Sequence, residues 1–343
     1  MNHLPNFQPS SRRTFLQDLT ALGMMLSPVS CTVAADRNRS AQPEKKRPFR
    51  ISINVSTLSG FKLPVKEQIR LSAAAGFEGI ELWTSDVYRY VQDGGDAGEL
   101  KALLDDSGLM LENLIAFSDW LSNDARTSAQ GMEQMKKDMA LAAQLGGHHV
   151  AATGGGLDVF LPDRLELYCR QYAEIVRLGQ SFGVTPLLEL WGHGTLNKLW
   201  KVLAIASGSH CPDAQLLLDF YHLHAGGNPF SALSLISGAA LPVFHINDYP
   251  GDIPAETLRD SDRVYPGDGI CPFDQVIPML YRAGFRGALS LELFNASYWN
   301  GGTPRQVLDT GFAKTVAVVD KALTTLQDGT NGGSRLQQPD ECI

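Results

Sequence analysis

Cysteine is scarce in this chain, five among 343 residues. No two stand as a Cys-x-x-Cys pair or in a framework spacing, which excludes zinc ribbons, redox dithiols and disulfide-stapled folds. Cys169, Cys211, Cys271 and Cys342 lie beyond the first 35 residues, with Cys169 on the apolar face of a predicted helix. Long apolar runs are missing as well, none reaching the roughly 18 residues of a membrane span. Basic charge is in deficit: 29 Lys and Arg stand against 37 Asp and Glu, for a net charge of −8. That leaves no basic stripe for phosphate backbones and argues against a nucleic-acid partner. At 44% hydrophobic and 19% charged, the chain has ample material for a large core. Its length suits either two domains or one α/β barrel.

The N-terminus has the order of an export signal. Ser11-Arg12-Arg13-Thr14-Phe15-Leu16 is a twin-arginine sequence, a modest apolar stretch runs from Leu19 to Val29, and Val33-Ala34-Ala35 offers a cleavage site. Residues 1–35 are therefore expected to be a twin-arginine signal peptide, and the mature protein periplasmic, with no stable membrane insertion once the signal is removed. Lipidation of Cys31 is the alternative, although Pro28 stands where that motif wants Leu. Residues 36–47, rich in Arg, Lys, Gln and Pro, read as a linker, and the polar, glycine-rich tail over 328–343 as disordered.

Between them, over 48–327, strand and helix signals alternate. Strands are expected near 50–57, 79–83, 110–117, 148–153, 185–191, 214–220, 242–247 and 288–294. Helices are expected near 64–75, 97–107, 129–145, 162–182, 196–208, 229–238, 273–283 and 303–326. Glycines follow several of these helices, as at Gly76, Gly146 and Gly284, where a left-handed cap is wanted. Met132, Met135 and Met139 form a stripe at helical spacing, which is packing material. Eight such units predict a parallel sheet closed into a (β/α)₈ TIM barrel.

Four strands carry chemistry. Leu216-Leu217-Leu218-Asp219 is an apolar strand ending in a carboxylate, and Glu189, His245 and Glu292 occupy the same place in Pro186–Trp191, Pro242–Asp248 and Ala288–Phe294. A lone carboxylate buried among leucines is costly unless it is paired or binds a metal. Strand alternation puts Glu189 with Leu187, Asp219 with Leu217 and Glu292 with Ser290, so all can point inward together. No Lys or Arg occurs in these four strands to make an ion-pair cluster. Three carboxylates and an imidazole form a mostly oxygen donor set for one divalent ion, Mn²⁺, Mg²⁺ or Co²⁺, with Zn²⁺ as a further option.

These residues resemble a known family. Glu-x-x-Gly-His from Glu189 to His193, Asp-x-x-His-x-His from Asp219 to His224, His-x-x-Asp from His245 to Asp248 and the final Glu292 are similar to the xylose-isomerase-like barrels. That superfamily includes sugar epimerases, inosose-handling enzymes and endonuclease-IV-type repair enzymes. Within it the chain most resembles the bacterial inosose (2-keto-myo-inositol) isomerases, through the stretch Leu258–Gly269 and through Ser290–Phe294 followed by Tyr298. The resemblance spans roughly residues 50–325 and implies Glu189, Asp219, His245 and Glu292 as metal ligands. It further implies Glu189 and Glu292 as base and acid, with His222, Arg263 and His193 on substrate oxygens. The export signal departs from the cytoplasmic pattern of inositol catabolism.

The implied chemistry is proton transfer at a carbon next to a carbonyl, returned to the neighbouring carbon (isomerisation) or to the opposite face (epimerisation). Lyase or dehydratase action on a 3-keto-glycoside or inosose uses the same intermediate, and export favours it. A non-catalytic sugar-binding barrel would be expected to have lost a carboxylate. An AP-endonuclease would need further His and Asp ligands, where strands two and three offer Glu81 and Glu112. Glu81 either hydrogen-bonds substrate or anchors the barrel floor. Trp83, Trp120 and Trp191 fall at strand ends, as pocket wall or rim packing, and Asp248 is expected to orient a ligand or loop. Gly154-Gly155-Gly156 lacks the Gly-Lys-Ser/Thr of a phosphate loop and reads as a permissive turn. The expected partner is a small sugar or cyclitol, and a homo-oligomer is compatible with the sequence.

Overall fold

The computed structural model describes residues 47–331. The expected signal peptide, nearly all of the expected linker and the tail beyond 331 lie outside the described residues. Eight parallel strands close a barrel in sequence order. They are β1 (Arg50–Asn54), β2 (Gly79–Trp83), β3 (Met110–Ile115), β4 (His149–Ala152), β5 (Thr185–Glu189), β6 (Gln215–Asp219), β7 (Val243–Ile246) and β8 (Ala288–Leu291). Around them lie α1 (Val65–Ala75), α2 (Thr84–Gln92), α3 (Ala97–Ser107), α4 (Ala125–Gln144), α5 (Leu165–Gln180) and α6 (Leu199–Gly208). They are followed by α7 (Phe220–Ala225), α8 (Phe273–Arg282), α9 (Ala296–Gly301) and α10 (Pro304–Asn331). Among the described residues no helix is long and apolar enough to cross a membrane.

Strand alternation divides the apolar residues between two cores. Ile115, Ala151, Leu187, Leu217 and Val243 form a small cluster inside the barrel, directly below the polar strand ends. Their neighbours Leu188, Leu216, Leu218 and Phe244 face outward into the larger core with the helices. Met135 and Met139 are fully buried there and Met132 nearly so, as packing predicts. Gly76 ends α1 in the left-handed region at φ 97°, a conformation that costs a residue with Cβ about 1 kcal/mol.

Strict alternation of eight long helices does not hold. The helix expected over 229–238 is instead a pair of 3₁₀ turns, Phe230–Leu235 and Gly238–Ala240. Three serines there compete for the backbone, as Ser234 Oγ does by donating to the Ser231 carbonyl. Gly238 lies so close to Gly284 and Phe285 that a Cβ would fall 1.9 Å from the Phe285 nitrogen. Three short helices unseen in the sequence, α2, α7 and α9, come after β2, β6 and β8, the first two with no residue between. The last helix continues to Asn331, past the expected start of the tail at 328.

Candidate active site

Strand register gathers the polar side chains at one barrel mouth. Asp219 and Glu189 are the last residues of β6 and β5, and Glu292 directly follows β8. His245 lies opposite Asp219 on one side and Ser290 on the other. Asp219, His245 and Glu292 each offer a ligand atom within 4.8 Å of the others. Glu189 stands outside that group, although it lines the same cavity.

His245 is held from behind. Its Nε2 lies 3.1 and 3.2 Å from the two oxygens of Glu81, and Glu81 in turn accepts Asn113 Nδ2 at 2.9 Å. The other ring nitrogen, Nδ1, faces Glu292 Oε2 at 3.2 Å and Asp219 Oδ2 at 3.6 Å without a formed hydrogen bond. A carboxylate behind one imidazole nitrogen, with the other aimed at two carboxylates, is the usual support of a metal-ligating histidine. Glu81 is thus wholly buried and absent from the cavity wall. Of the two roles expected of it, its contacts match the anchoring one, with the carboxylate turned onto the histidine.

A cation does enter the cluster, though from none of the four strands. Arg263, on the connection between β7 and α8, is 1% exposed. Its Nη1 donates to Glu292 Oε2 at 2.6 Å and to Asp219 Oδ2 at 3.2 Å. Its Nη2 donates to Asp260 Oδ1 at 2.5 Å and to His222 Nε2 at 3.1 Å. The guanidinium stacks over Tyr221, 4.3 Å from the ring centre, and lies 5.1 Å from that of Phe294. The absence of a partnering cation inferred from the strands is therefore corrected: a distant loop supplies one.

These contacts set the protonation. Burial drives the Glu189 carboxyl up to about 8, with the nearby Glu292 charge adding to the rise. Its Oε2 is buried with no partner. Burial raises Asp219 and Glu292 too, but Arg263 and the histidines hold Asp219 well below the ordinary range, and His245 and Arg263 do the same for Glu292. Burial pulls His222 down to about 4, helped by the Arg263 charge, so it is neutral and accepts from Arg263. Burial lowers His245 as well, yet the charges of Glu292 and Glu81 raise it far above its ordinary value.

A cavity of about 350 Å³ opens over this cluster. Glu189, His193, His222, Asp260, Arg263 and Glu292 are its polar lining, and Trp83, Ile115, Phe117, Trp191 and Phe294 its apolar lining. His193 is within hydrogen-bond range of Tyr221 Oη, 3.1 Å from Nε2. Trp83 and Trp191 thus reach the cavity. Trp120 does not: it is fully buried, 5.9 Å from the Tyr172 ring, and belongs to the outer core. The turn at Gly156, φ 81°, packs against Asp119, where a Cβ would approach its Cβ to 2.7 Å.

Several contributors were not foreseen. Asn54 Nδ2 donates to Glu292 Oε1 at 3.0 Å, and Asn247 Nδ2 to Asp219 Oδ2 at 3.0 Å. Asp260, Phe117 and Phe294 complete the walls. Asn247, between His245 and Asp248, had a legible signal, since a buried amide beside a buried carboxylate needs a partner.

With fold and site in hand, sequence comparison places the chain. It belongs to the Xylose isomerase-like TIM barrel family, whose profile matches residues 69–315. Among proteins of this family, it is 26% identical to the inosose isomerase of Bacillus velezensis, over 75% of this chain and 92% of that one. To the inosose isomerase of Halalkalibacterium halodurans it is 32% identical, over 44% of this chain and 54% of that one, so that match spans about half of the relative. The 3-dehydroshikimate dehydratase of Pseudomonas aeruginosa is 27% identical over 81% of this chain and 43% of that one. A solved IOLI protein with a bound zinc atom superposes with a TM-score of 0.73, at 24% identity, covering 80% of this chain and 99% of that one.

Proposed function

We propose that this protein is a divalent-metal-dependent isomerase or epimerase of a keto-sugar or inosose, acting by enediolate proton transfer between Glu189 and Glu292. The observation that carries the reading is their shared cavity: two buried glutamates line it together with Arg263 and His222. Glu189 keeps a buried oxygen without a partner. Glu292 is ionised against Arg263 at 2.6 Å. Two carboxyl groups in such unlike surroundings suit the two halves of a proton transfer.

The donor set fits a metal. Asp219, His245 and Glu292 would hold the ion, with Glu189 as the further oxygen ligand implied by the family resemblance. When bound, the ion would supply Lewis-acid polarisation of the substrate carbonyl and stabilise the charge that develops on its oxygen. Glu189 removes or returns the proton on one side, and Glu292 serves the other. Arg263 and neutral His222 receive the substrate oxygens, with His193 at the rim. The aromatic lining, Trp83, Phe117, Trp191 and Phe294, would keep water away from the intermediate.

Incubating the Mn²⁺- or Co²⁺-loaded protein with a panel of inososes, ketoses and 3-keto-glycosides in D₂O, followed by NMR, tests this directly. Deuterium should enter at the carbon beside the carbonyl. A loaded protein that exchanges nothing with any of them argues against the proposal. A dehydratase or lyase is the second reading, favoured by the likeness to the Pseudomonas dehydratase over most of this chain; loss of water or aglycone in the product mass would select it. A non-catalytic sugar-binding barrel would retain its affinity in Glu292→Gln by calorimetry and turn nothing over in either form. The twin-arginine sequence supports a periplasmic site of action, which fractionation and N-terminal sequencing would check.

A further inference from the structure

The connection from β7 to α8, residues 247–272, delivers Asp260 and Arg263 to the cavity but contains only two 3₁₀ turns, Ala255–Thr257 and Asp260–Asp262. Connections of that length without regular structure are uncommon in compact domains and need something else to fix their course. Asp248 provides it. Its backbone N–H donates to the Val264 carbonyl at 3.0 Å, and Val264 N–H donates back at 2.9 Å. This isolated antiparallel bridge lies one residue from Arg263.

The Asp248 side chain fastens the far end. It is 1% exposed and its two oxygens accept four backbone N–H groups. Gly267 and Gly269 donate to Oδ2 at 2.9 Å each, and Tyr249 and Cys271 donate to Oδ1 at 2.8 Å each. A carboxylate has about four lone-pair sites, so the set is saturated without any cation. Gly269 is required at this point, because a Cβ would sit 2.2 Å from the Tyr249 carbonyl oxygen and 2.4 Å from Asp248 Oδ1. On the opposite side, Asn295 Nδ2 donates to the Arg263 carbonyl at 3.0 Å, and Tyr298 stacks on Tyr265 at 4.1 Å.

We propose that Asp248 is a positioning residue for Arg263: its carboxylate folds the 247–272 connection into the one course that carries the guanidinium onto Asp219 and Glu292. The inference rests on the catalytic reading of that site, while Asp248 itself lies outside the cavity wall. Asparagine cannot substitute for it. One of its two side-chain ends would present donors to backbone N–H groups, leaving two of the four without an acceptor.

The test is peptide-mapped phenylglyoxal labelling of Arg263 in the full-length protein, with Arg89, whose side chain is 68% exposed, as the internal standard. In Asp248→Asn, labelling of Arg263 should accelerate about ten- to hundredfold relative to Arg89, the range two lost hydrogen bonds allow. Gly269→Ala attacks the same clamp from the loop side and should act likewise, so a poorly folding Asp248→Asn leaves the test intact. Unchanged labelling of Arg263 in folded variants overturns the proposal. A kinetic arm uses the solvent-exchange assay. Asp248→Asn should cost about tenfold or more with Arg263 present and less than about twofold in an Arg263→Met background. Equal costs in the two backgrounds also overturn it. If no substrate turns over at all, the functional proposal fails while the labelling result still decides the role of Asp248.

Discussion

Arg263→Met removes the guanidinium charge that faces the buried carboxylates of the cavity. In the wild type that guanidinium lies 2.6 Å from Glu292 and 3.2 Å from Asp219, with Asp260 and His222 on its other nitrogen. Taking one partner from a buried ion pair costs about 3–5 kcal/mol, since the remaining charges stay desolvated and uncompensated. Methionine keeps most of the volume and can pack its sulfur on Tyr221 and Phe294, so little of the loss comes from a cavity. For a domain of this size the metal-free variant should melt roughly 10 °C below wild type. A divalent ion reverses part of this. It restores positive charge to Asp219 and Glu292 while no longer meeting a guanidinium on the same oxygens, so Mn²⁺ affinity in the variant should rise about tenfold or more. Solvent exchange into substrate should still fall by about 10²–10³, because the donor for the developing oxygen charge is gone. Calorimetric melts with chelator and with Mn²⁺, alongside titration of the metal, measure all of this. A metal-free variant melting within a degree or two of wild type, or an unchanged metal affinity, would refute the electrostatic account.

Glu81→Gln should lower divalent-metal affinity about 10- to 100-fold while leaving the fold intact, since it weakens the bond that orients His245 but removes none of the ligands; metal titration by calorimetry reads the change. Asp138 gives a test of pH dependence far from the site. It is 2% exposed, its Oδ1 accepts Tyr88 Oη at 2.7 Å and Gln134 Nε2 at 2.9 Å, and burial raises its pKa despite those bonds. A carboxyl with a folded-state value above its unfolded one stabilises the fold below the ordinary aspartate range, and that stability is lost as pH rises through the raised value. Asp138→Asn keeps the Oδ1 acceptor and loses the charge, so it should melt above wild type at pH 8 and level with it near the bottom of that window.

Much of this protein can be read before its structure is known, for reasons that particular residues make plain. Leu187 and Leu217 disclose the barrel interior because strand alternation leaves only one place for Glu189 and Asp219, two residues further on. The barrel follows from strands whose apolar runs lack a solvent face. Arg263 is different. It sits in a connection with no periodicity, so nothing local says that it doubles back to β6 and β8; that information resides in Asp248 and in the two glycines whose N–H groups it gathers. Glu81 escapes for a related reason, since its partner His245 lies 164 positions away and is brought opposite it only by barrel closure. Trp120 is the converse case: of its two expected roles it takes packing, because the chain beyond β3 turns it outward into the helix layer.

The same contrast bears on what the site is for. Carboxylates concentrated at one barrel mouth repel one another, and a fold that needed only stability would replace them with apolar residues of similar volume at little cost. Here the repulsion is contained instead. Arg263 is carried in on a clamped loop, Glu81 is pressed against His245, Asn54 and Asn247 each spend an amide on a carboxylate, and burial drives the Glu189 carboxyl up to about 8. Every one of these contacts bears on Glu292, Asp219, His245 or Glu189, and none would be needed if those four were leucines. Supporting structure of that extent around groups that destabilise the fold is the physical signature of residues kept for chemistry, as the proposed proton transfer would require.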